Sequence, residues 1–435
     1  PGQTTQAEHS IRLTTDESVK QTPYPLPFTV RETVKKEIQE MLDLDVIEHT
    51  ESPYSSPIVL VKKKDGSNRF CVDFRRLNRI TVFDNEPMPS TDEIFSKLKD
   101  DKYFTKIDLA KGYWQIPLRK EDKEKTAFVT PDGSFQFKRM PFGLVDSGAT
   151  FNRMMRKVMD GVEHIDKFVD DLLGHTKLWE THLQMLRDTF ERLRVANLTA
   201  RPSKCLIGFS SLEFVGHQIG ANSLKPNPDK VEEILSADRP KTKRQVRAFI
   251  GLIGYYRTYI PNFASIAVSL TDLTRKGQPN IVDWSEAQEN AFQTLKKMIT
   301  TDPILRTPDF NKVFILQTDA SDNGLGAALT QEVERMKHPI AYASKKLLPR
   351  ERRYSTIEKE CLGLVWGIKK FLIYLYGREF VIETDHQPLT YINQSKYANN
   401  RIMRWAIFLQ NFRFRIVSVR GKENVLADYL SRIDD

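Results

Sequence analysis

The chain has 435 residues, of which 40% are hydrophobic and 28% are charged, and its three cysteines lie far apart. This length predicts roughly three domains and excludes a disulfide miniprotein, while the cysteine spacing gives no zinc pattern. No apolar run approaches the roughly 18 residues of a membrane-spanning helix, which excludes a membrane-spanning protein. The net charge is +9. The excess of basic over acidic residues lies entirely in residues 222–435, which contain 33 Lys and Arg and 24 Asp and Glu.

The first half of the chain predicts a helix, two hairpins and further helices. Apolar spacing predicts an amphipathic helix at 31–48. Strands at 58–61 and 69–74 flank a Lys-Asp-Gly-Ser turn, and strands at 127–130 and 135–138 flank a Pro-Asp-Gly turn, so each pair is predicted as a hairpin. Helices are predicted near 146–160 and 178–196. The amino terminus, PGQTTQAEHS, has no starting Met, no apolar stretch and no Arg-rich amphipathic stretch, so we expect a cut end of a longer protein.

The second half predicts a helical domain followed by an α/β domain. Between about 222 and 310, an apolar stripe with helical spacing is interrupted by prolines. Five cations at 239–247 precede the apolar helix and indicate either a contact with a polyanion or a solvated helix start. The pattern then predicts strands at 313–319, 324–330, 338–344 and 378–383, with a long helix at 355–376. This order is typical of an α/β domain with a mixed sheet.

Two adjacent aspartates, Asp170 and Asp171, lie between two apolar runs in the sequence FVDDLL. An isolated pair of this kind is more typical of a solvent-exposed turn. Asp108, however, ends a second predicted strand at 103–109. Three acids on neighbouring strand ends repel one another unless divalent cations neutralise them. Two such ions can activate a hydroxyl and stabilise a leaving pyrophosphate, which is the chemistry of nucleotidyl transfer.

Acids also follow the predicted strands of the last domain. Asp319 and Asp385 each end a strand, and Glu360 borders the apolar stripe of the long helix. Asp428 lies in a predicted terminal helix. A carboxylate at the edge of an apolar stripe needs a partner.

Six motifs in one order resemble the reverse transcriptase–RNase H unit of gypsy-like LTR retrotransposons. They are LVKKKDGSNRFCVDFRRLN (60–78), FTKIDLAKGYWQIPL (104–118), KTAFVTPDGSFQFKRMPFGL (125–144), FVDD (168–171), FIGLIGYYRTYIPNF (249–263), and TDAS, EKE, TDH and LADYLSR between 318 and 432. The resemblance implies an α+β multidomain fold, in which a right-hand polymerase of fingers, palm and thumb is followed by an RNase H-like α/β domain. The implied boundaries are 1–26 for an N-terminal extension or linker, 27–221 for fingers and palm, 222–310 for the helical thumb and 311–435 for the RNase H-like domain, with no connection domain between the last two.

The resemblance also implies two metal sites, each holding two Mg²⁺ ions for which Mn²⁺ could substitute. The implied metal ligands and catalytic residues are Asp108, Asp170 and Asp171 in the palm, and Asp319, Glu360, Asp385 and Asp428 in the RNase H-like domain. Lys63 and Arg69 are expected to bind the triphosphate of the incoming nucleotide. Tyr113 is expected to abut the 2′ position of the sugar. Phe142 is expected to line the nucleotide pocket, although it could also be an ordinary core aromatic residue.

Two further segments resemble nucleic-acid contacts of this family. Phe214, Val215, Gly216 and His217 resemble the primer grip, the hairpin that positions the primer 3′ end. The thumb residues Arg244, Arg247, Gly251 and Tyr255 are expected to follow the minor groove of the primer–template duplex, since glycine lets a backbone approach. Helix packing is the competing explanation of such a glycine. The chain departs from the family pattern at Phe168, where tyrosine is commoner, at Val145-Asp146-Ser147-Gly148, and at Ser418, where an aromatic residue or histidine is usual.

The function implied is RNA- and DNA-templated DNA synthesis with degradation of the RNA strand of RNA–DNA hybrids. The implied partners are RNA–DNA hybrid, DNA duplex primer–template and dNTPs, with no membrane, and either a monomer or a homodimer is compatible. The chain is expected to be a piece of a Pol polyprotein that acts in the cytoplasm within virus-like particles. The alternative is a domesticated element protein that binds nucleic acid without catalysis. All seven predicted metal ligands are acids, which argues against that alternative.

Overall fold

The computed structural model describes residues 2–62, 68–220, 222–300, 304–385 and 400–419. The chain forms two compact units. The first comprises Pro1–Ile94 and Asp100–Leu212, and the second comprises Phe95–Lys99 and Glu213–Asp435. No helix within the described ranges is long and apolar enough to cross a membrane.

The elements up to residue 210 alternate between short strands and amphipathic helices. The helices are α1 Phe28–Asp43, α2 Arg75–Arg79, α3 Thr91–Ser96, α4 Ser147–Val158 and α5 Trp179–Val195. The strands are β1 Ile47–His49, β2 Ser56–Lys62, β3 Asn68–Val72, β4 Tyr103–Asp108, β5 Phe128–Thr130, β6 Gly133–Phe137, β7 Ile165–Phe168, β8 Asp171–Thr176 and β9 Leu206–Phe209. Both predicted hairpins are confirmed, since β2 pairs with β3 and β5 with β6, each antiparallel.

Two sheets organise the first unit over its described residues. One has the strand order β1-β6-β5-β2-β3 and packs against α1 through Val34, Ile38 and Met41. The other has the order β7-β8-β4-β9 and shares a core with α4 and α5. The helix predicted at 31–48 extends too far, since α1 ends at Asp43. The chain leaves the helix because Asp45 adopts a left-handed φ of 54°, and residues 47–49 then pair with β6.

The second unit contains the remaining helices and strands. The helices are α6 Pro228–Leu235, α7 Lys243–Gly254, α8 Phe263–Ile266, α9 Val268–Asp272, α10 Glu286–Thr300, α11 Pro349–Arg352, α12 Thr356–Lys370, α13 Leu372–Leu375 and α14 Asn400–Leu409. The strands are β10 Ser211–Phe214, which begins in the first unit, β11 His217–Gly220, β12 Ser223–Pro226, β13 Leu305–Arg306, β14 Phe314–Ala320, β15 Gly324–Val333, β16 Met336–Lys346, β17 Glu379–Thr384 and β18 Arg413–Ser418.

The last sheet has the strand order β16-β15-β14-β17-β18. Strands β14, β15 and β16 are antiparallel, whereas β17 runs parallel to both β14 and β18, so the predicted mixed sheet is confirmed. The long helix predicted at 355–376 is wrong at its end, because Phe371 leaves the helical conformation and α13 follows as a separate turn. Strands β12 and β13 pair with each other inside the segment predicted to be helical.

Two residues of the last sheet belong to the hydrophobic core of the helical part of the second unit, while the sheet packs mainly into a core of its own. Ala328 of β15 and Tyr342 of β16 belong to the same buried cluster as the helical residues Phe249 and Phe292. The backbone N–H of Ala264 donates to Ser344 Oγ at 2.8 Å. Strand β14 begins at Phe314, shortly after β13 ends at Arg306.

Candidate active sites

The FVDD sequence forms a tight turn between β7 and β8. Phe168 ends β7, Asp171 begins β8, and Val169 adopts a left-handed φ of 54°. Strand β8 also pairs with β4, and in that register Asp171 lies directly opposite Asp108. Asp170 lies next to this pair in the turn, so the fold brings together the ends of the two strands on which the sequence predicted acids.

Lysines neutralise two of these acids. Lys106 Nζ lies 3.1 Å from Asp171 Oδ2, and Lys204 Nζ lies 3.6 Å from Asp108 Oδ2. Burial raises the pKa of Asp171, the Lys106 charge and hydrogen bond lower it, and the charges of the other two acids raise it, so that its net pKa lies above the usual range. The Lys106 amine thus partly offsets the effect of burial on Asp171.

The predicted metal ligands of the palm do not converge on one point in this structure. Among the described residues, no group of three or more His, Cys, Asp or Glu side chains is arranged to hold a metal ion. The carboxylates of Asp171 and Asp108 instead face lysine amines. The donor set itself consists of carboxylate oxygens, which are the ligands that Mg²⁺ prefers. The metal assignment of these three acids stays a prediction.

Aromatic rings lie beside the palm acids. The Tyr113 ring contacts Phe142 at a centroid distance of 4.9 Å and Phe151 at 5.3 Å. Burial, followed by the charge of Asp170, raises the pKa of the Tyr113 hydroxyl. Phe142 is 52% exposed, so it is not an ordinary core residue. Although the Phe142 ring contacts Tyr113, the exposed part of the ring is accessible to a bound molecule.

Of the two predicted triphosphate contacts, the structure describes the position of one. Arg69 is in β3 opposite Val61 of β2. Lys63 lies outside the described residues. Their roles stay predictions.

The loop after Phe142 departs from the family sequence but is firmly bound. Asn78 Nδ2 donates to the Gly143 carbonyl at 2.8 Å, and Asn78 Oδ1 accepts from the backbone N–H of Val145 at 3.0 Å. Ser147 Oγ donates to the Pro141 carbonyl at 3.0 Å. Asn78 thus holds the loop next to Phe142, a role that nothing in the sequence indicates beyond the place of Asn78 in the first motif.

The residues that resemble a primer grip form the turn between β10 and β11, called the 214–217 turn below. Phe214 is fully buried. Val215 and Gly216 adopt φ values of 44° and 71°. The His217 ring packs against Tyr255 at a centroid distance of 5.4 Å. The turn and this predicted thumb residue are therefore in direct contact.

Helix α7 carries the other predicted thumb contacts. Thr242 and Gln245 form a capping box at its start. A Cβ at Gly251 would meet no atom within 4 Å, so this position faces open space. Arg247 Nη2 donates to the Thr274 carbonyl at 3.0 Å, which occupies one of its donors inside the thumb. Arg244 is exposed.

A second group of acids lies near one edge of the last sheet, although within the described residues these acids too are not arranged to hold a metal ion. Strands β14 and β17 pair in parallel through Gln317 and Glu383, so Asp319 and Asp385, each two residues further on, lie at the same edge. Helix α12 places Glu360 beside them. Burial, then the charges of Asp319 and Asp385, raise the pKa of Glu360 to about 8.

The environment of Glu360 fits a cation. The side chain is 5% exposed, and its Oε2 has no hydrogen-bond partner among the described residues. A buried carboxylate oxygen without a partner is costly unless a proton or a cation satisfies it. Ser418 ends β18 in register with Thr384, next to Asp385. Asp428 lies outside the described residues.

Two family descriptions match the chain: reverse transcriptase (RNA-dependent DNA polymerase) over residues 61–219, and an RNase H-like domain found in reverse transcriptase over residues 309–412. The chain is 41% identical to the retrovirus-related Pol polyprotein from transposon 297 of Drosophila melanogaster, over 98% of the chain. It is 36% identical to the polyproteins from transposons opus and gypsy of the same organism, over 99% and 97% of the chain. The chain belongs to the reverse transcriptase–RNase H family of gypsy-like LTR retrotransposons.

Members of this family are longer than the chain. It spans 40% of the transposon 297 polyprotein and 44% of the opus polyprotein. Reverse transcriptase and RNase H domains generally depend on divalent metal ions.

Solved structures show the fold. A foamy viral protease-reverse transcriptase dRH in complex with ds DNA superposes with a TM-score of 0.85 at 22% identity, covering 96% of this chain and 74% of that one. A foamy viral protease-reverse transcriptase in complex with RNA/DNA hybrid superposes with a TM-score of 0.83 at 21% identity, covering 100% of this chain and 59% of that one. The expected polymerase and RNase H-like architecture is confirmed, whereas the exact domain boundaries stay a prediction.

The sequence missed three residues that support these sites. Lys106 and Lys204 pair with palm acids, and Tyr256 contacts the 214–217 turn through its hydroxyl. One of them left a signal: Lys106 lies two residues before Asp108 on a strand, so both side chains must be on one face. Lys204 and Tyr256 are far in sequence from the groups that they contact.

Proposed function

We propose that the chain is an RNA- and DNA-templated DNA polymerase that also cleaves the RNA strand of RNA–DNA hybrids, as a piece of a retrotransposon Pol polyprotein. The observation that carries the proposal is the register of β4 and β8, which places Asp108 opposite Asp171 and beside the Asp170 turn. An acid cluster of this kind at the end of a sheet is suited to nucleotidyl transfer. The independent acid cluster at the edge of the last sheet supports the second activity.

The palm residues would have different roles in DNA synthesis. Asp108, Asp170 and Asp171 would bind the ions, and Lys106 would release Asp171 as they enter. The Tyr113 ring would exclude a ribose 2′-hydroxyl, which selects dNTPs. Arg69 and Lys63 would bind the triphosphate, since cations form charge-assisted hydrogen bonds to phosphate oxygens.

In the RNase H-like domain, Asp319, Glu360 and Asp385 would bind ions together with Asp428. Two Mg²⁺ ions in each site, or Mn²⁺ in their place, would activate the primer 3′-hydroxyl and stabilise pyrophosphate in the palm, and would activate water against an RNA phosphodiester in the RNase H-like domain. Selectivity for RNA would come from contacts to 2′-hydroxyls and from duplex shape.

The partners would be RNA–DNA hybrid and DNA duplex. The solved foamy viral relatives contain ds DNA and RNA/DNA hybrid, which supports both. Gly251 faces open space on α7 and Arg244 is exposed, and such a face suits a duplex backbone. The site of action would be the cytoplasm, within virus-like particles, where a homodimer is as compatible with this function as a monomer.

Primer extension and hybrid cleavage with Mg²⁺ test the proposal. We expect Asp170→Asn to abolish dNTP incorporation while hybrid cleavage stays measurable, because the two acid clusters lie in different units of the chain. Conversely, Glu360→Gln should stop RNA cleavage and spare polymerisation.

Asp188→Asn is the matched control, since Asp188 is an exposed acid on α5. Normal extension by the Asp170 variant would refute the palm assignment. Duplex binding by the parental chain without any extension would favour the non-catalytic alternative.

A further inference from the structure

The 214–217 turn has an unfavourable backbone. Val215 and Gly216 are its two central residues, and both have positive φ values, 44° and 71°. This combination is that of a type I′ hairpin turn, which normally takes Asn or Gly at both positions. Valine is branched at Cβ and is a genuine outlier in the left-handed region. Such a conformation persists only where surrounding contacts determine it.

Two consecutive tyrosines supply such contacts. Tyr255 Oη donates to the Val215 carbonyl at 2.7 Å, and Tyr256 Oη donates to the Gly216 carbonyl at 2.7 Å. The backbone N–H of Asn227 also donates to the Gly216 carbonyl, at 3.1 Å. Both carbonyls of the strained pair are thus held by groups outside the turn.

The two tyrosines differ in exposure. Tyr255 is 49% exposed, whereas Tyr256 is 1% exposed. Burial raises the pKa of Tyr256 to about 12, so its hydroxyl remains a donor over the whole physiological range. Of these two tyrosines, only Tyr255 is therefore accessible to nucleic acid. The buried Tyr256 would therefore act on a substrate indirectly, through the groups that it contacts, which include the turn.

Tyr256 also links the turn to the thumb helix. Helix α7 ends at Gly254, and Tyr256 follows two residues later. The helix carries the open position Gly251. Because a single residue separates the end of α7 from Tyr256, a duplex backbone lying on this helix would be held close to the 214–217 turn.

We propose that Tyr256 is a positioning residue for DNA synthesis: its hydroxyl holds the Gly216 carbonyl and thereby keeps the strained 214–217 turn in the conformation that places the primer 3′ end. This role rests on the proposed polymerase function. It adds a residue that touches neither nucleotide nor primer. The geometry that carries it is the buried hydroxyl-to-carbonyl bond beside a left-handed valine.

Tyr256→Phe in the full chain tests the role, because it removes the hydroxyl and keeps the ring. We expect kcat for single-nucleotide incorporation to fall about fivefold, the effect of losing one hydrogen bond, with the primer–template Kd unchanged. Amide hydrogen exchange at residues 214–217, measured without nucleic acid, should become faster.

Tyr342→Phe is the matched control. Tyr342 lies in the same buried cluster, and burial likewise raises its pKa to about 12, but it is part of β16. This variant should leave both measurements at the parental values.

Val215→Gly separates a positioning role from a merely structural one. Glycine adopts positive φ without strain, so the turn would no longer need the hydroxyl. In the Val215→Gly background, Tyr256→Phe should change kcat by less than about twofold. An equal loss of kcat in both backgrounds, or parental amide exchange at 214–217 in Tyr256→Phe, would overturn the inference. Absence of extension by the parental chain would refute the polymerase function, while the exchange measurement would still decide whether Tyr256 holds the turn.

Discussion

Lys106 and Asp108 alternate with Ile107 on β4, so the amine and the carboxylate project from one face of the sheet. Asp171 lies opposite Asp108, and Lys106 reaches it diagonally across the strand pair. Lys106 thus neutralises a carboxylate that a metal ion would also need. Under the proposed metal assignment, the lysine and the ion would compete for the same carboxylate oxygen of Asp171.

At the residue scale, we therefore expect Lys106→Met to bind Mn²⁺ more tightly in the palm, by about threefold, because a partly exposed ion pair is worth up to about 1 kcal/mol. Mn²⁺ binding measured by electron paramagnetic resonance, in a Glu360→Gln background that weakens the second site, reports the change. Lys177→Met is the control, since Lys177 pairs with Asp100 at the surface. Weaker binding by the Lys106 variant would mean that the lysine assists the metal.

The acids could be predicted from the sequence, whereas their partners could not. Asp108 and Asp171 each adjoin an apolar strand, and such a position is visible in a linear pattern. Lys204 meets Asp108 only because β9 pairs with β4. Tyr256 meets Gly216 across 40 residues. Contacts of this kind depend on tertiary pairing, which one sequence does not encode locally.

At the element scale, the buried His175 connects β8, which begins with Asp171, to β7 and to the segment that precedes β4. His175 of β8 lies with Nδ1 2.6 Å from Asp101 Oδ2 and with Nε2 3.0 Å from Asp166 Oδ2 of β7. Burial lowers the pKa of His175, but the hydrogen bonds that its ring donates to Asp101 and Asp166, together with the charges of these two carboxylates, raise it by more, so the net pKa is raised. His182, on the adjacent α5, has a pKa lowered by burial and by the His175 charge.

This arrangement predicts a stability that depends on pH. A histidine whose pKa is raised by folding stabilises the fold fully below its unfolded pKa of about 6.5 and loses that contribution as pH rises through the folded value. We expect His175→Gln to lower the free energy of unfolding of the first unit by about 3 kcal/mol at pH 6, and by less at pH 9. Urea denaturation at both pH values measures the difference. A loss that grows with pH would contradict the charged form of His175.

Element boundaries were harder to predict than element types. The apolar spacing of α1 continues past Asp43, but Asp45 turns the chain into β1. Strands β12 and β13 are short and lie at the two ends of a helical segment, so periodicity could not reveal them. Longer patterns, such as those of α5 and β15, are fixed by many residues and were predicted within three residues of their bounds.

At the scale of the whole molecule, the thumb and the RNase H-like sheet pack against each other within the second unit. Tyr342 of β16 is 8% exposed and lies in the thumb core. Lys346 Nζ lies 2.7 Å from Asp272 Oδ1 of α9. The thumb core is incomplete without residues of the last sheet.

We accordingly expect Tyr342→Ala to destabilise the thumb as well as the sheet, by about 3–5 kcal/mol, as for other large-to-small core changes. Hydrogen exchange should become faster in α7 and α10 although the substitution is in β16, and it should stay unchanged in β4 of the first unit. Faster exchange confined to β15 and β16 would show that the two parts fold independently.

The contacts between the thumb and the last sheet also constrain the distances within the second unit. The 214–217 turn and the acids Asp319, Glu360 and Asp385 belong to the same compact unit. Under the proposed function, a hybrid whose primer end rested on the turn would meet the acids of the last sheet at a spacing set within one compact unit. We then expect the number of base pairs between the primer end and the cut in the RNA, read from the lengths of the cleavage products on sequencing gels, to be the same for every template sequence.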